Sequence, residues 1–297
     1  MRKSAFFVSV SVVLAAMSLV PACSRAIPAG PKGHLFIVGG GDRDEPLMRR
    51  FVELAKGFGT GRIVVFTMAS SVPLEIGPEL VAEFRKYGVQ DVVYCQLTRD
   101  EAMKADSAKI LDGVSAIWFA GGDQALLTAA LLDTPIHARM LELYAAGCLI
   151  GGTSAGAAVM SEVMITGDEK RTKNEDELWQ TVEADNVVRV RGFGFVKNAI
   201  IDQHFLVRRR QNRLISLVLE NPALLGAGID ESTAILVRTD GKWEILGESQ
   251  VYVVDARKAV VTKASSNKLG AHGLALHLLL PGDVFDPVAG RAEGPSK

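Results

Sequence analysis

Cys148-Leu149-Ile150-Gly151-Gly152-Thr153-Ser154-Ala155-Gly156-Ala157-Ala158-Val159-Met160 passes from a short apolar run through a turn of small residues into a helix-forming run. Read as strand, sharp turn and helix, it is a G-x-S-x-G elbow, which holds a serine hydroxyl clear of its neighbours. The free N–H groups of the helix start point at the same place and offer stabilisation to a developing anion. A plain small-residue turn, or a glycine-rich phosphate cradle, has a similar signature. The residues elsewhere in the chain must decide between them.

Working outward, the same strand-then-helix alternation recurs. Leu35–Val38, Ile63–Phe66, Val92–Tyr94, Ile117–Phe119 and Leu149–Ile150 are continuous apolar runs of the kind buried on both faces of a parallel sheet. Pro46–Lys56, Gly77–Tyr87, Ala125–Leu132 and Ile136–Ala146 carry apolar residues three and four apart, as amphipathic helices do. The alternation predicts an α/β fold with a doubly wound, mostly parallel sheet whose reactive groups gather at the carboxyl ends of the strands. Further on, Ala199–Ile201 reads as another strand and Val207–Leu219 as a helix stopped by Asn221-Pro222. Ala234–Val237, Trp243–Leu246 and Val251–Val254, separated by Asp240-Gly241 and Gly247, predict antiparallel hairpins closing one edge of the sheet. The charge-dense stretch Asp168–Asp185 is expected to be an exposed excursion.

A chain of 297 residues, 48% hydrophobic and 23% charged, suffices for a single large core, so residues 34–297 are read as one catalytic domain. Before it, Arg2 and Lys3 precede the apolar run Ala5–Val20 and then Pro21-Ala22-Cys23, the pattern of a secretory signal peptide over residues 1–22. Cleavage before Cys23 would leave a lipidated N-terminal cysteine; cleavage after Ala26 is the alternative. Residues 23–33, with prolines at 28 and 31, read as a tether. The expectation is an exported protein, periplasmic, outer-membrane-anchored or extracellular in a bacterium. Ser24 after the cysteine resembles the bacterial sorting pattern for the outer membrane. A formal net charge of −1 argues against bulk nucleic-acid binding. Cys95 and Cys148 sit in apolar runs as small hydrophobes, and an oxidising compartment would permit but not require a bond between them.

A serine needs an imidazole to accept its proton, and the imidazole needs an orienting group. Of the five histidines, His34, His137, His272 and His277 read as structural or exposed. His204, in Ile200-Ile201-Asp202-Gln203-His204-Phe205, stands at the carboxyl end of a strand where this sheet type collects its chemistry. Gly228-Ile229-Asp230-Glu231-Ser232 places acids at another strand end, offering Glu231 or Asp230 as the orienting carboxylate. Gly121-Gly122-Asp123-Gln124 forms a further strand-end loop, so the amide of Gly122 can join that of Ala155 as an oxyanion donor. Gly39-Gly40-Gly41-Asp42 is only superficially a dinucleotide loop: position 44 is Asp, and no GK[ST] follows. Arg208, Arg210 and Arg213, taken as helix, place Arg210 and Arg213 near one face and suit bidentate binding of carboxylates. No Cys, His and Asp cluster has metal-ligand spacing, so neither metal nor cofactor is expected.

Together, Gly-Thr-Ser154-Ala-Gly-Ala, Asp202-Gln203-His204-Phe205 with Arg208, Arg210, Arg213 and Leu214, and Gly228-Ile229-Asp230-Glu231 resemble the cyanophycinases, of the serine peptidase family that includes aspartyl dipeptidase. The resemblance runs from about Leu35 to Val254, and the Asp-Gln-His-Phe run with its spaced arginines is its specific part. It implies Ser154 as nucleophile, His204 as general base and Glu231, over Asp230, as third member. Gln124, Asp202, Gln203, Arg208, Arg210 and Arg213 are implied to line the substrate site. It also implies the flavodoxin-like sheet of class I glutamine amidotransferases and a homodimer. The implied substrate is cyanophycin, a polyaspartate with arginine on each side-chain carboxylate, cleaved to β-Asp-Arg dipeptides. Its repeats offer carboxylates to the arginines and guanidiniums to an acid such as Asp202. An exported aspartyl dipeptidase would use the same elbow without a reason for the arginine spacing; a non-catalytic peptide- or carbohydrate-binding relative would not need Ser154, His204 and Glu231 all at strand ends.

Overall fold

Leu35–Val38 (β1) is buried at all four positions and alternates its side chains between two cores, Leu35 and Ile37 to one side, Phe36 and Val38 to the other. The structure, a computed structural model, describes residues 30–171 and 179–294. After β1 come α1 (Glu45–Ala55), β2 (Arg62–Phe66), α2 (Pro73–Lys86), β3 (Val92–Cys95), α3 (Arg99–Ala102), β4 (Val114–Phe119), α4 (Gln124–Leu131), α5 (Pro135–Ala146), β5 (Leu149–Thr153) and α6 (Ala155–Ala158). Strands β1 to β5 pair in parallel in the order β3-β2-β4-β5-β1, which is the alternation expected from the periodicity. α1 and α2 cover one face through Leu47, Met48, Phe51, Leu80 and Phe84; Leu127, Leu131, Ile136 and Met140 of α4 and α5 cover the other. Phe51, Phe84 and Trp118 meet edge-on and tilted, with centroids 4.9 to 5.7 Å apart. Each such ring buried contributes roughly 1.5–3 kcal/mol of transfer free energy.

The second half departs from the expected single edge of hairpins. Its elements are β6 (Val163–Glu169), β7 (Val187–Arg191), β8 (Ala199–Asp202), α7 (Gln211–Glu220), β9 (Leu225–Ile229), β10 (Thr233–Val237), β11 (Trp243–Gly247), β12 (Val251–Asp255), β13 (Val260–Lys263), β14 (Leu269–His272), β15 (Ala275–Leu279), β16 (Val284–Asp286) and β17 (Arg291–Glu293). Strands β10, β11, β16 and β17 extend the large sheet antiparallel beyond β1, giving nine mixed strands with a parallel core. Strand β12 does not join them. It pairs with β9 and β15 in a second, four-stranded sheet ordered β15-β12-β9-β8. Ile201, Ala227, Ile229, Val251 and Val253 turn one face of that sheet into the core beneath the large one, and burial of that face selects the pairing.

Two local expectations also change. The predicted helix from Val207 begins only at Gln211, because residues 204–209 form a turn with His204 and Arg209 both at positive φ. Arg210 therefore caps the start of that helix and does not lie within it, although its guanidinium still approaches Asp202, as that of Arg213 does. The flanks of the charged excursion are not simply exposed: Glu169, Trp179, Glu183 and Ala184 are buried, and the Ser216 hydroxyl accepts from the Glu183 amide at 3.1 Å. The signal segment, Cys23, the cleavage sites and Glu175-Asp176-Glu177 lie outside the described residues. No helix among the described residues is long and apolar enough to cross a membrane.

Candidate active site

The elbow forms as the sequence suggests. Ser154 links β5 to α6 at φ 54, ψ −112, outside the usual basins for a residue with a side chain. A Cβ on Gly156 would lie 2.2 Å from the carbonyl oxygen of Phe119, which explains the glycine two residues after the serine. Its amide anchored to the carbonyl of Val38 at 3.0 Å, Ser154 meets His204 Nε2 through Oγ at 2.8 Å. His204 Nδ1 lies 2.5 Å from Glu231 Oε1. A carboxylate only accepts, so Nδ1 carries the proton and Nε2 is the lone pair facing the serine hydroxyl.

The three side chains come from different layers. Ser154 directly follows β5 of the large sheet; His204 follows β8 of the second sheet; Glu231 lies on the three-residue link Asp230–Ser232 between β9 and β10, which joins the two sheets. Asp230, the alternative acid, faces away from the imidazole: its carboxylate accepts from the amides of Leu206 and Val207 at 3.0 and 3.2 Å and from the Ser249 hydroxyl at 2.8 Å. It braces the turn that carries His204.

The glycine run after β1 is part of the same assembly, a role its sequence did not reveal. Gly39 accepts from the His204 amide at 2.7 Å and Gly40 from that of Ser232 at 2.9 Å. Gly40 has φ +113, and a Cβ there would lie 2.3 Å from the imidazole Cε1; one on Gly41 would lie 2.7 Å from Glu231 Cβ. Gly40→Ala is therefore expected to displace the imidazole and lower kcat/KM by on the order of 100-fold, since a shift of about 1 Å in a reacting group has that scale. Steady-state kinetics at an unchanged melting temperature would check it.

The residues proposed to line the site divide into two groups. Gln203, Arg208 and Arg210 stand beside His204; Arg210 donates to the Gln203 backbone carbonyl at 2.8 Å and to its side-chain oxygen. Burial, reinforced by Arg213, pushes the Arg210 pKa down to about 10, still charged at neutral pH. Arg208 is exposed, and among the described residues its guanidinium has no partner. Asp202 and Arg213, in contrast, are enclosed and spent on each other: Arg213 Nε bonds Asp202 Oδ2 at 2.8 Å, its Nη2 bonds Oδ1, and the guanidinium lies 4.9 Å from the Trp179 ring centre. Asp202 thus has no free face for a substrate guanidinium. Gln124 is likewise committed, its amide nitrogen donating to the carbonyls of Ile165 and Thr166 at 2.7 and 2.8 Å and fixing β6.

The amides of Gly121, Gly122 and Ala155 have no acceptor among the described residues, and an added Cβ on Gly121 would sit 3.4 Å from that of Ser154. Free donors beside the Ser154 hydroxyl have the geometry that suits a tetrahedral oxyanion. A cleft of about 320 Å³ opens at Ser154, lined by Gly40, Gly41, Arg43, Ser70, Ile76, Leu80, Gly121 and His204 among others. Arg43 and Ser70 escaped the sequence reading, although both follow parallel strands at their carboxyl ends. The thiols of Cys95 and Cys148 are free and buried, and burial pushes them up to about 11 and about 12, so neither competes as a nucleophile. Among the described residues no three His, Cys, Asp or Glu side chains cluster as metal ligands.

Burial is the largest influence on His204 and lowers its pKa; the Glu231 hydrogen bond pulls it up, and Arg208 adds a lowering push. A base with a lowered pKa stays deprotonated further into acid, so the acid limb of kcat/KM is expected below pH 6.5, the ordinary histidine value. Arg208→Gln removes a lowering charge and should move that limb to higher pH. A pH profile of both proteins checks the sign.

Residues 35–245, well over half the chain, match peptidase family S51. The chain belongs to that family. This S51 peptidase is 32% identical over 267 residues to the cyanophycinase of Nostoc sp., covering 87% of each chain. It is 31% identical over 276 residues to the cyanophycinase of Geminocystis herdmanii, covering 88% of this chain and 98% of the relative. The crystal structure of a peptidase from an acI-B1 Actinobacterium shares the fold, with a TM-score of 0.64, 21% identity, and coverage of 86% of this chain and 98% of that one. The S51 peptidase is accordingly a serine-type peptidase hydrolase.

Proposed function

We propose that this S51 peptidase is exported and hydrolyses cyanophycin to β-Asp-Arg dipeptides through a Ser154-His204-Glu231 triad and an acyl-enzyme. The hydrogen-bonded chain from Ser154 Oγ through His204 to Glu231 carries the chemistry; the relatives named cyanophycinase carry the substrate. His204 Nε2 takes the Ser154 proton as Oγ attacks a backbone carbonyl, while Glu231 holds the ring and balances the imidazolium. The Ala155 amide and that of Gly122 or its neighbour Gly121 receive the oxyanion. The imidazolium then protonates the leaving amine, and water, activated by the same base, releases the dipeptide. Arg208 and Arg210, with Gln203, bind the polymer's carboxylates, whereas the enclosed Asp202–Arg213 pair supports them from behind.

The sheet is read as flavodoxin-like, with β1 taking the place beside β5, and the protein as a homodimer. A signal peptide over residues 1–22, with lipidation at Cys23 or cleavage after Ala26, would bring the enzyme to polymer released by other cells; mass spectrometry of the mature N-terminus checks it. The central test incubates purified protein with insoluble cyanophycin and, separately, with Asp-X dipeptides. Clearing of the polymer with release of β-Asp-Arg is expected. Cleavage of the dipeptides alone would make it an aspartyl dipeptidase, and neither reaction would leave a binding protein.

A further inference from the structure

Arg43 lies between the glycine run after β1 and Asp44, whose side chain caps α1 by accepting from the Leu47 amide. Its guanidinium pairs side-on with Glu83 of α2, Nε to Oε1 at 3.3 Å and Nη2 to Oε2 at 2.7 Å. That leaves both N–H groups of Nη1 and one of Nη2 without a partner among the described residues. These atoms form a second, end-on fork in the guanidinium plane, the geometry that grips a carboxylate with two parallel bonds. The plane is held by Glu83 and lies 6.0 Å from the centre of the Trp118 ring, and both charged side chains are about four-fifths buried. Arg43 lines the cleft that contains Ser154 and His204, with Ile76 and Leu80 of α2 as an apolar wall. Gln203, Arg208 and Arg210 do not line it.

A peptide bound across a nucleophile runs to both sides of the bond that is cut. The arginines after His204 serve one side; the cleft under Arg43 is a second, separate compartment at the same serine. We propose that Arg43, oriented by Glu83, is a specificity-determining residue that binds a carboxylate on the substrate residue lodged in this cleft. This rests on the cyanophycin reading, in which the carboxylate is the α-carboxylate of an arginine branch, on the carbon next to the isopeptide nitrogen. The stem of that branch lies along Ile76 and Leu80, and the Glu83 pairing spares Arg43 the entropic cost of finding its geometry.

The test uses Ser154→Ala protein, so that ligands are bound and not consumed. Calorimetric titration compares a soluble (β-Asp-Arg)3 oligomer with the same oligomer carrying agmatine in place of arginine, which lacks only the branch carboxylates. The parent should bind the first roughly 10- to 100-fold more tightly, the range for a hydrogen bond to a charged group. Arg43→Gln should lower that ratio roughly 10-fold, leaving only the share that Arg208 and Arg210 hold, and Arg43→Lys should restore part of the loss. Glu83→Gln, which frees the guanidinium without removing it, should lower the ratio to an intermediate value and carries the test if Arg43→Gln fails to fold. A ratio untouched by Arg43→Gln but lost in Arg208→Gln, or no ratio in the parent, would overturn the assignment. Wild-type protein is incubated with cyanophycin in parallel: an intact polymer alongside an Arg43-dependent ratio sinks the substrate reading and leaves the carboxylate subsite standing.

Discussion

Ser154→Ala is expected to reduce kcat by ~10⁶-fold while the protein remains folded. Among the described residues the hydroxyl makes one hydrogen bond, to His204, and supports nothing else in the core. The amide bond to Val38 and the strained backbone at φ 54 are properties of the main chain, and alanine inherits both. What remains without the nucleophile is the oxyanion site and substrate binding, which together retain on the order of 10³- to 10⁴-fold over water. Single-turnover assays and a thermal melt on the same sample decide it. Turnover above about one-thousandth of wild type would mean that Ser154 is not the attacking group.

The second large effect is on stability. Arg213→Met should cost about 3 kcal/mol, because it leaves Asp202, which has no exposed side-chain surface, as a buried charge with only the Gln203 amide and Arg210 at 3.9 Å to offset it. It also removes the guanidinium that stacks on Trp179. At roughly 2–4 °C per kcal/mol for a domain of this size, the melting temperature should fall on the order of 10 °C. Arg213→Met with Asp202→Leu removes both charges and should recover much of that loss, since replacing a whole buried pair with apolar groups is often neutral. Denaturant titration of the single and double variants measures both. A loss below 1 kcal/mol for the single variant would show that the pair is solvated in solution.

The parallel half of the fold was legible because its signals are local. Each buried strand is a continuous apolar run, the longer helices carry their own periodicity, and most of the helices carry a side-chain cap, as Thr134 and Pro135 show at the start of α5. The second sheet was not legible, because β12 chooses between β11 and β9 by which face is buried, and that depends on residues far away in sequence. The same holds for the arginine run. Arginine is a good helix former, so Arg208–Arg210 read as the start of a helix until the backbone at His204 turned through positive φ to reach Ser154. Asp202 looked like a free acid for lack of any sign that Arg213, eleven residues on, would enclose it. Gly39–Gly41 read only as a failed dinucleotide loop, because nothing nearby in sequence shows what its backbone packs against: the imidazole and the glutamate.

The link Asp230–Ser232 does two jobs in three residues: it is the chain's passage from one sheet to the other, and it carries the glutamate that steadies the imidazole. Both neighbouring strands are fixed in register, β9 by β8 and β12, β10 by β1 and β11. Any residue inserted here would have to bulge into the cleft or slide a strand, and either would carry Glu231 away from His204. Loop lengthening, the commonest way for a fold to acquire new specificity, is therefore closed at this corner. Diversification must come from the walls around Arg43 and Arg208 instead.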